Sequence, residues 1–111
     1  MNLIGNITVD AWGRTFKCQL DLTKYTDGNP AIMVYEGGEP FGKLTINVPE
    51  YAHALGPHEF FVKDWSENVP ICRACVESGL FIETTREHRV SRFCTAKVWR
   101  LSDKAIANLE A

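Results

Sequence analysis

The sequence lacks a long apolar run and lacks an excess of charge of either sign. No stretch reaches the roughly 18 apolar residues that a membrane-spanning helix needs, and the N-terminus has no basic segment followed by a hydrophobic one. We therefore expect neither a membrane span nor a signal peptide. The formal net charge is −2 over 111 residues, so no general electrostatic attraction to nucleic acid or to membranes is expected.

Sequence motifs for catalysis are missing as well. The three histidines show no HExxH or equivalent ligand spacing, and no cysteine–histidine pair has a spacing that marks a nucleophile. Motifs for nucleotide hydrolysis and for glycoside cleavage are also absent from the sequence. We therefore expect a protein that is not an enzyme and that carries no cofactor.

The chain has four cysteines. Because secretion is not expected, we interpret them as reduced thiols rather than as disulfides. Cys18, Cys72 and Cys75 fall on predicted apolar faces, where cysteine packs as a small hydrophobic residue. The alternatives for the Cys72-x-x-Cys75 pair are a redox motif and a zinc site completed by Cys18, Cys94 or a histidine. A structural zinc site usually draws on two such pairs and the sequence contains one, so we adopt core packing.

Alternating polar and apolar residues predict several strands. The clearest alternation is in residues 14–22, where every second side chain from Phe16 to Leu22 is apolar, a pattern typical of a sheet with one buried face. Further strands are predicted at 2–9, 31–35, 43–48, 60–62, 80–85 and 93–101, with a polar loop or a solvated hairpin end at 86–92. A chain of this length buries enough surface to fold as one domain, residues 1–111.

The main helix is predicted at about residues 68–78. Apolar side chains recur there three and four residues apart, Ser66 or Asn68 is the expected N-cap, and Gly79 is expected to end the helix. Ser102 is predicted to cap a second, short helix at the C-terminus. The predicted architecture is an α+β domain: an antiparallel sheet of five to seven strands, the main helix packed on one face, and the short C-terminal helix.

Basic and aromatic residues are interleaved near the C-terminus. Side chains that bind phosphate or carboxylate groups alternate there with rings that can stack on a ligand: Arg86, Arg89, Arg92, Phe93, Lys97, Trp99 and Arg100. A protein partner or an anionic ligand is predicted to bind Trp65 in the central turn and six residues of this set, Arg86, Arg89, Arg92, Lys97, Trp99 and Arg100. The alternatives are a solvated loop and a charged edge strand for the basic residues, and a lid over a small core for Trp65.

Four segments of the chain resemble a small domain of unknown function from phages, plasmids and conjugative elements. They are LTINVP at 44–49, FFVKDWSEN at 60–68, SGLF at 78–81 and FCTAKVWRL at 93–101. The resemblance covers about residues 31–101 and is most specific at KDWSEN. It implies a mobile-element origin and brings no catalytic residues, because the family has no agreed activity. Small phage proteins of this kind are often inhibitors of host defence, which would place the protein in the host cytoplasm.

Three functions are compatible with these residues. The first is a non-enzymatic protein that binds and inhibits a host protein, such as a defence component, in the manner of an anti-CRISPR or another anti-defence inhibitor. The second is an oligomeric sponge whose arginines bind a small anionic signalling nucleotide between subunits. The third is a weak nucleic-acid-binding protein, which the net charge disfavours. An exposed edge strand could also pair two copies into a homodimer.

Overall fold

The computed structural model describes residues 2–111, and its strands form two antiparallel sheets. The first sheet has four strands in chain order, which are β1 (Leu3–Ala11), β2 (Arg14–Lys24), β3 (Pro30–Glu36) and β4 (Glu39–Lys43). The second sheet has the order β5–β7–β6, with β5 (Glu59–Val62), β6 (Phe81–Arg89) and β7 (Thr95–Leu101). The predicted α+β class is confirmed, but each sheet has fewer strands than the single sheet of five to seven that the sequence predicts.

The predicted strand at 43–48 is wrong, because the chain changes its pairing partner within this segment. The Leu44 N–H donates to the carbonyl oxygen of Ile32 at 3.0 Å, whereas the Ile46 N–H donates to the carbonyl oxygen of Phe61 at 3.1 Å. The same short segment thus pairs first with β3 and then with β5. This change of partner divides one expected sheet into two.

Two helices of similar length, α1 (Val69–Glu77) and α2 (Asp103–Glu110), both pack against β1. The prediction of one main helix on one sheet face is therefore wrong. A helix of nine residues spans only about 14 Å, whereas a strand of nine residues spans about 30 Å, so α1 cannot cover β1 alone. Ser102 caps α2 as predicted, since its hydroxyl accepts the N–H of Ala105 at 3.3 Å. Neither helix in residues 2–111 is long and apolar enough to cross a membrane.

The main hydrophobic core lies between the two sheets and α1. It draws on all three layers and includes Ile4, Leu20, Val34, Phe60, Cys75 and Leu101. A second, smaller cluster contains Val48, Phe61, Ala96 and Val98. The paired residues Phe60 and Trp99 belong to the main core, whereas the next pair, Phe61 and Val98, belongs to the smaller cluster. The second sheet is therefore buried on both faces where β5 pairs with β7.

Of the two structures predicted for residues 86–92, a polar loop or a solvated hairpin end, the hairpin end is the one observed, since β6 continues through Arg89. His88 pairs with Ala96 and Arg89 with Thr95 across the hairpin. Most side chains of β6 are exposed, because it lies at the edge of the second sheet. An exposed edge strand carries no apolar alternation, so its periodicity could not reveal it.

The backbone of β1 approaches α1 and β6 closely at Gly5. A Cβ atom at this position would lie 2.6 Å from Cδ1 of Leu80, whose side chain is buried. We expect Gly5→Ala to lower the free energy of unfolding by about 1 to 3 kcal/mol, because the buried Leu80 side chain must shift out of its native packing to accept the new methyl group. Urea unfolding of Gly5→Ala, Leu80→Val and the double variant tests this. If the stability lost in the double variant equals the sum of the losses in the two single variants, the two side chains do not interact and the clash is contradicted.

Candidate functional site

Two of the predicted basic residues are neutralised by carboxylates. The Arg86 guanidinium forms an ion pair with the Glu59 carboxylate and also donates to the carbonyl oxygen of Ala54 at 3.0 Å. Lys97 Nζ lies 3.0 Å from a carboxylate oxygen of Asp64. The hydrogen bond and the charge of Asp64 raise the pKa of Lys97, with smaller contributions from Glu83 and Glu87.

Trp99 cannot contact a partner, which corrects its place in the predicted set. Its side chain is 3% exposed, and its ring lies 5.9 Å from that of Phe81 in the main core. Trp99 lies on the same face of β7 as Lys97, because the two residues are two positions apart, but at Trp99 this face is directed into the core. The indole N–H has no hydrogen-bond partner within residues 2–111.

The remaining arginines lie in two places. Arg100 is exposed on β7, where it pairs with Glu59 of β5 and Ile82 of β6. Its side chain and that of Lys97 lie on opposite faces of the sheet, because the two residues are three positions apart in the strand. Arg89 and Arg92 lie at the β6–β7 connection. The predicted basic set is therefore not one continuous patch, because alternate residues of β7 face opposite sides of the sheet.

We name Arg89, Arg92 and Phe93 the hairpin tip. The N–H groups of Val90 and Ser91 both donate to the carbonyl oxygen of Cys94, at 3.0 and 3.2 Å, and close the loop. The Phe93 side chain is 89% exposed, and the Arg92 guanidinium carbon lies 5.6 Å from its ring centroid. Neither arginine forms an ion pair with a carboxylate in the part of the chain that the structure describes.

A second feature is a groove of about 680 Å³ at the junction of the two sheets. We name it the aromatic groove, because its lining includes Trp12, Tyr25, Phe41 and Trp65. Trp65 is half-buried here, so it lines a concave surface rather than only covering the core. The sequence pointed to Trp65 but not to Phe41. Phe41 lies in β4 of the first sheet and Trp65 follows β5 of the second, and the alternation of neighbouring residues does not show which parts of two separate sheets meet.

Trp12 adopts an unusual backbone conformation in the turn between β1 and β2. Its φ is +53° and that of the following Gly13 is +70°, as in the two-residue hairpin turn that favours Asn-Gly. A bulky side chain is unfavourable in this left-handed region. Trp12 nevertheless occupies this position, and its side chain is 71% exposed. Residues with a strained backbone of this kind cluster at functional sites.

Asn68 provides a buried polar group in the groove lining. Its side chain is 4% exposed, and its amide nitrogen donates to the carbonyl oxygens of Lys43 at 2.6 Å and Lys63 at 2.9 Å. Asn68 precedes α1, but its side chain does not cap the helix as predicted, because these two bonds hold it. The two carbonyl acceptors fix which end of the amide is nitrogen.

No protein-family model matches this chain, and no curated protein or solved structure matches it. Functional proposals therefore depend on the chemistry of the hairpin tip and of the aromatic groove.

The Cys72-x-x-Cys75 pair faces the main core. Burial is the largest cause that raises the pKa of Cys72 to about 12 and the pKa of Cys75 well above its usual value. The Cys72 thiol donates to the carbonyl oxygen of Lys63 at 3.4 Å. Both thiols are protonated at neutral pH, whereas the thiolate is the form that binds zinc or attacks a disulfide.

Proposed function

We propose that this chain is a non-enzymatic binding protein of a phage or another mobile element, and that it acts in the host cytoplasm by docking on a host protein. A component of host defence is the target that the resemblance in the sequence favours. The observation that carries the proposal is the hairpin tip, where an 89% exposed phenylalanine stands beside two arginines. Aromatic residues and arginine, which the hairpin tip combines, are the residue types enriched in protein interfaces.

The chemistry of the hairpin tip indicates the kind of surface that it fits. Arginine and aromatic residues dominate the binding energy of protein interfaces when they enter a desolvated pocket. The Phe93 ring would fill an apolar pocket on the partner, and Arg89 and Arg92 would pair with carboxylates at its rim. Because the loop is closed by two backbone hydrogen bonds, little conformational entropy is lost on docking.

Binding of a phosphate ligand by the whole predicted arginine set is less well supported. Arg86 and Lys97 already contact carboxylates, and Arg100 lies away from the hairpin tip on β7. A nucleotide sponge or a nucleic-acid-binding surface built from these residues would need them on one face. Docking on a protein needs only the hairpin tip, and we therefore prefer it.

The test is a pull-down of the tagged chain from host lysate, followed by affinity measurement with the purified partner. We expect Arg89→Glu/Arg92→Glu and Phe93→Ser each to weaken binding on the order of 100-fold, as for the central residues of an interface. The matched control is Lys17→Glu/Lys24→Glu, which makes the same charge change at two exposed positions of β2 and should bind like the wild type.

Two results would contradict the proposal. The hairpin-tip variants could retain wild-type affinity for the captured protein while remaining folded by circular dichroism. Alternatively, the control variant could lose as much affinity as the hairpin-tip variants, which would indicate non-specific electrostatic attraction. Size-exclusion chromatography of the same samples tests the homodimer.

A further inference from the structure

The aromatic groove has the side chains of a small-ligand site that is separate from the hairpin tip. We propose that it binds a nucleotide, with the base stacked on the exposed indole of Trp12 and the phosphate bound by Lys43. This inference does not depend on the proposed function, because none of the hairpin-tip residues lines the groove. Its volume of about 680 Å³ falls within the usual range for small-molecule sites.

The walls of the groove present flat aromatic surfaces. The Trp12 ring lies 5.9 Å from Phe16 and 6.3 Å from Phe41, so neighbouring rings hold it in place although it is mostly exposed. Trp65 also belongs to the lining and comes just before the short 3-10 helix Ser66–Asn68. Every nucleobase has a flat π-face, and stacking on such rings is the common way in which proteins hold unpaired bases.

The buried Asn68 supplies a hydrogen-bond acceptor. Its amide nitrogen is used by two backbone carbonyls, and within residues 2–111 its carboxamide oxygen accepts no hydrogen bond and is not sealed from the surface. The residue is 4% exposed and lines the groove, so this oxygen is available to an N–H donor on a ligand. Amino and ring N–H groups on the edges of bases are donors of this kind.

The groove also has a cation for an anionic ligand. Lys43 Nζ lies 5.2 Å from the centroid of the Tyr25 ring and forms no salt bridge within residues 2–111. Lys63, by contrast, is paired with Glu67 at 2.8 Å. Lys43 is therefore the lysine of the lining that can bind a phosphate without first breaking an ion pair.

These features favour a nucleotide over a proline-rich peptide, which also binds aromatic grooves. Proline has no N–H and could not donate to the Asn68 oxygen. A neutral peptide would form no ion pair with Lys43, whereas a phosphate would. A base with a phosphate satisfies the aromatic walls, the acceptor and the cation together.

The test is an NMR titration of the full chain with AMP, GMP, CMP and UMP, each added separately. The chain has three tryptophans, so each variant that removes one assigns the indole N–H signals. We expect Trp12 and Trp65 to shift saturably with a Kd of roughly 1 mM or tighter for at least one nucleotide. The signal of Trp99 should not move, because this ring is buried outside the groove lining.

Two variants test the assigned roles. Trp12→Asn keeps a residue that tolerates the left-handed turn and is expected to weaken binding by about 10-fold or more, since it removes the stacking surface. Lys43→Gln should abolish the preference for AMP over adenosine, because adenosine lacks the phosphate. Tyr51→Ser is the matched control: Tyr51 is exposed and lies outside the groove lining, so this variant should leave the Kd unchanged.

A comparison of UMP with a short oligouridylate distinguishes a free nucleotide from a single strand, since affinity for a strand rises with length and falls with salt. The inference is overturned if no nucleotide shifts Trp12 and Trp65 up to about 10 mM. It is also overturned if all three tryptophans shift equally, if Trp12→Asn binds as the wild type does, or if a proline-rich peptide binds the groove and nucleotides do not. Failure here leaves the pull-down result with Phe93→Ser unaffected, so the two proposals fail separately.

Discussion

Asn68→Asp is expected to lower the free energy of unfolding at pH 7 by about 3 to 5 kcal/mol, although the two side chains have the same shape. The Asn68 amide donates to the carbonyls of Lys43, at the end of β4, and Lys63, just after β5. An aspartate has no donor, so both carbonyls would lose their partner and would face a buried negative charge.

The loss should depend on pH in a defined direction. Burial beside two carbonyl oxygens raises the pKa of a carboxyl group above its unfolded value, so the aspartate destabilises the fold increasingly as pH rises through that unfolded value. Below it the protonated carboxyl can donate one hydrogen bond. The difference in unfolding free energy between wild type and variant should therefore be smaller at pH 3 than at pH 7.

The matched control for this experiment is Asn108→Asp. The Asn108 amide also donates to one backbone carbonyl, that of Ile4 at 2.7 Å, but the residue is exposed. Water can replace that donor, so we expect a loss of less than about 1 kcal/mol. Urea unfolding of the three proteins gives the comparison. Equal losses in the two variants would show that Asn68 is not a buried link between the sheets.

The second large effect is expected at alkaline pH. Burial raises the pKa of Cys72 from 9.0 to about 12 and raises the pKa of Cys75 well above 9.0. Above pH 9 the unfolded chain releases these protons while the folded chain keeps them, so the unfolded state is favoured as pH rises. We expect unfolding free energy to fall by about 1 kcal/mol for each thiol between pH 9 and pH 10. The fall should continue until Cys72 ionises in the folded state as well.

Urea unfolding under reducing conditions at several pH values measures this slope. The variant Cys72→Ala/Cys75→Ala is the control, because it removes both thiols while other titrating groups remain. Its stability at pH 7 should be lower, since two small cavities are created in the core. Its further loss between pH 9 and pH 10 should be smaller than that of the wild type by about 2 kcal/mol. An identical slope in both proteins would contradict the assignment to these thiols.

The sequence by itself determined the elements whose signals are local. Alternation from Phe16 to Leu20 identified β2, because each second residue is buried on one face. The Ser102 cap identified the start of α2, because a hydroxyl bonds the backbone only two or three residues away. Gly79 ends α1 with φ of +76°, which glycine adopts without a Cβ clash. These signals depend on neighbours in sequence and hold in any tertiary context.

Only the tertiary structure decided where the sheet divides and which side chains remain accessible. The burial of Trp99 and the ion pairs of Arg86 and Lys97 depend on partners distant in the sequence. The aromatic groove likewise joins Trp12 to Trp65, more than fifty residues apart. Whether a charged or aromatic side chain is free to bind is set by contacts between separate elements, and periodicity along the chain carries no information about those contacts.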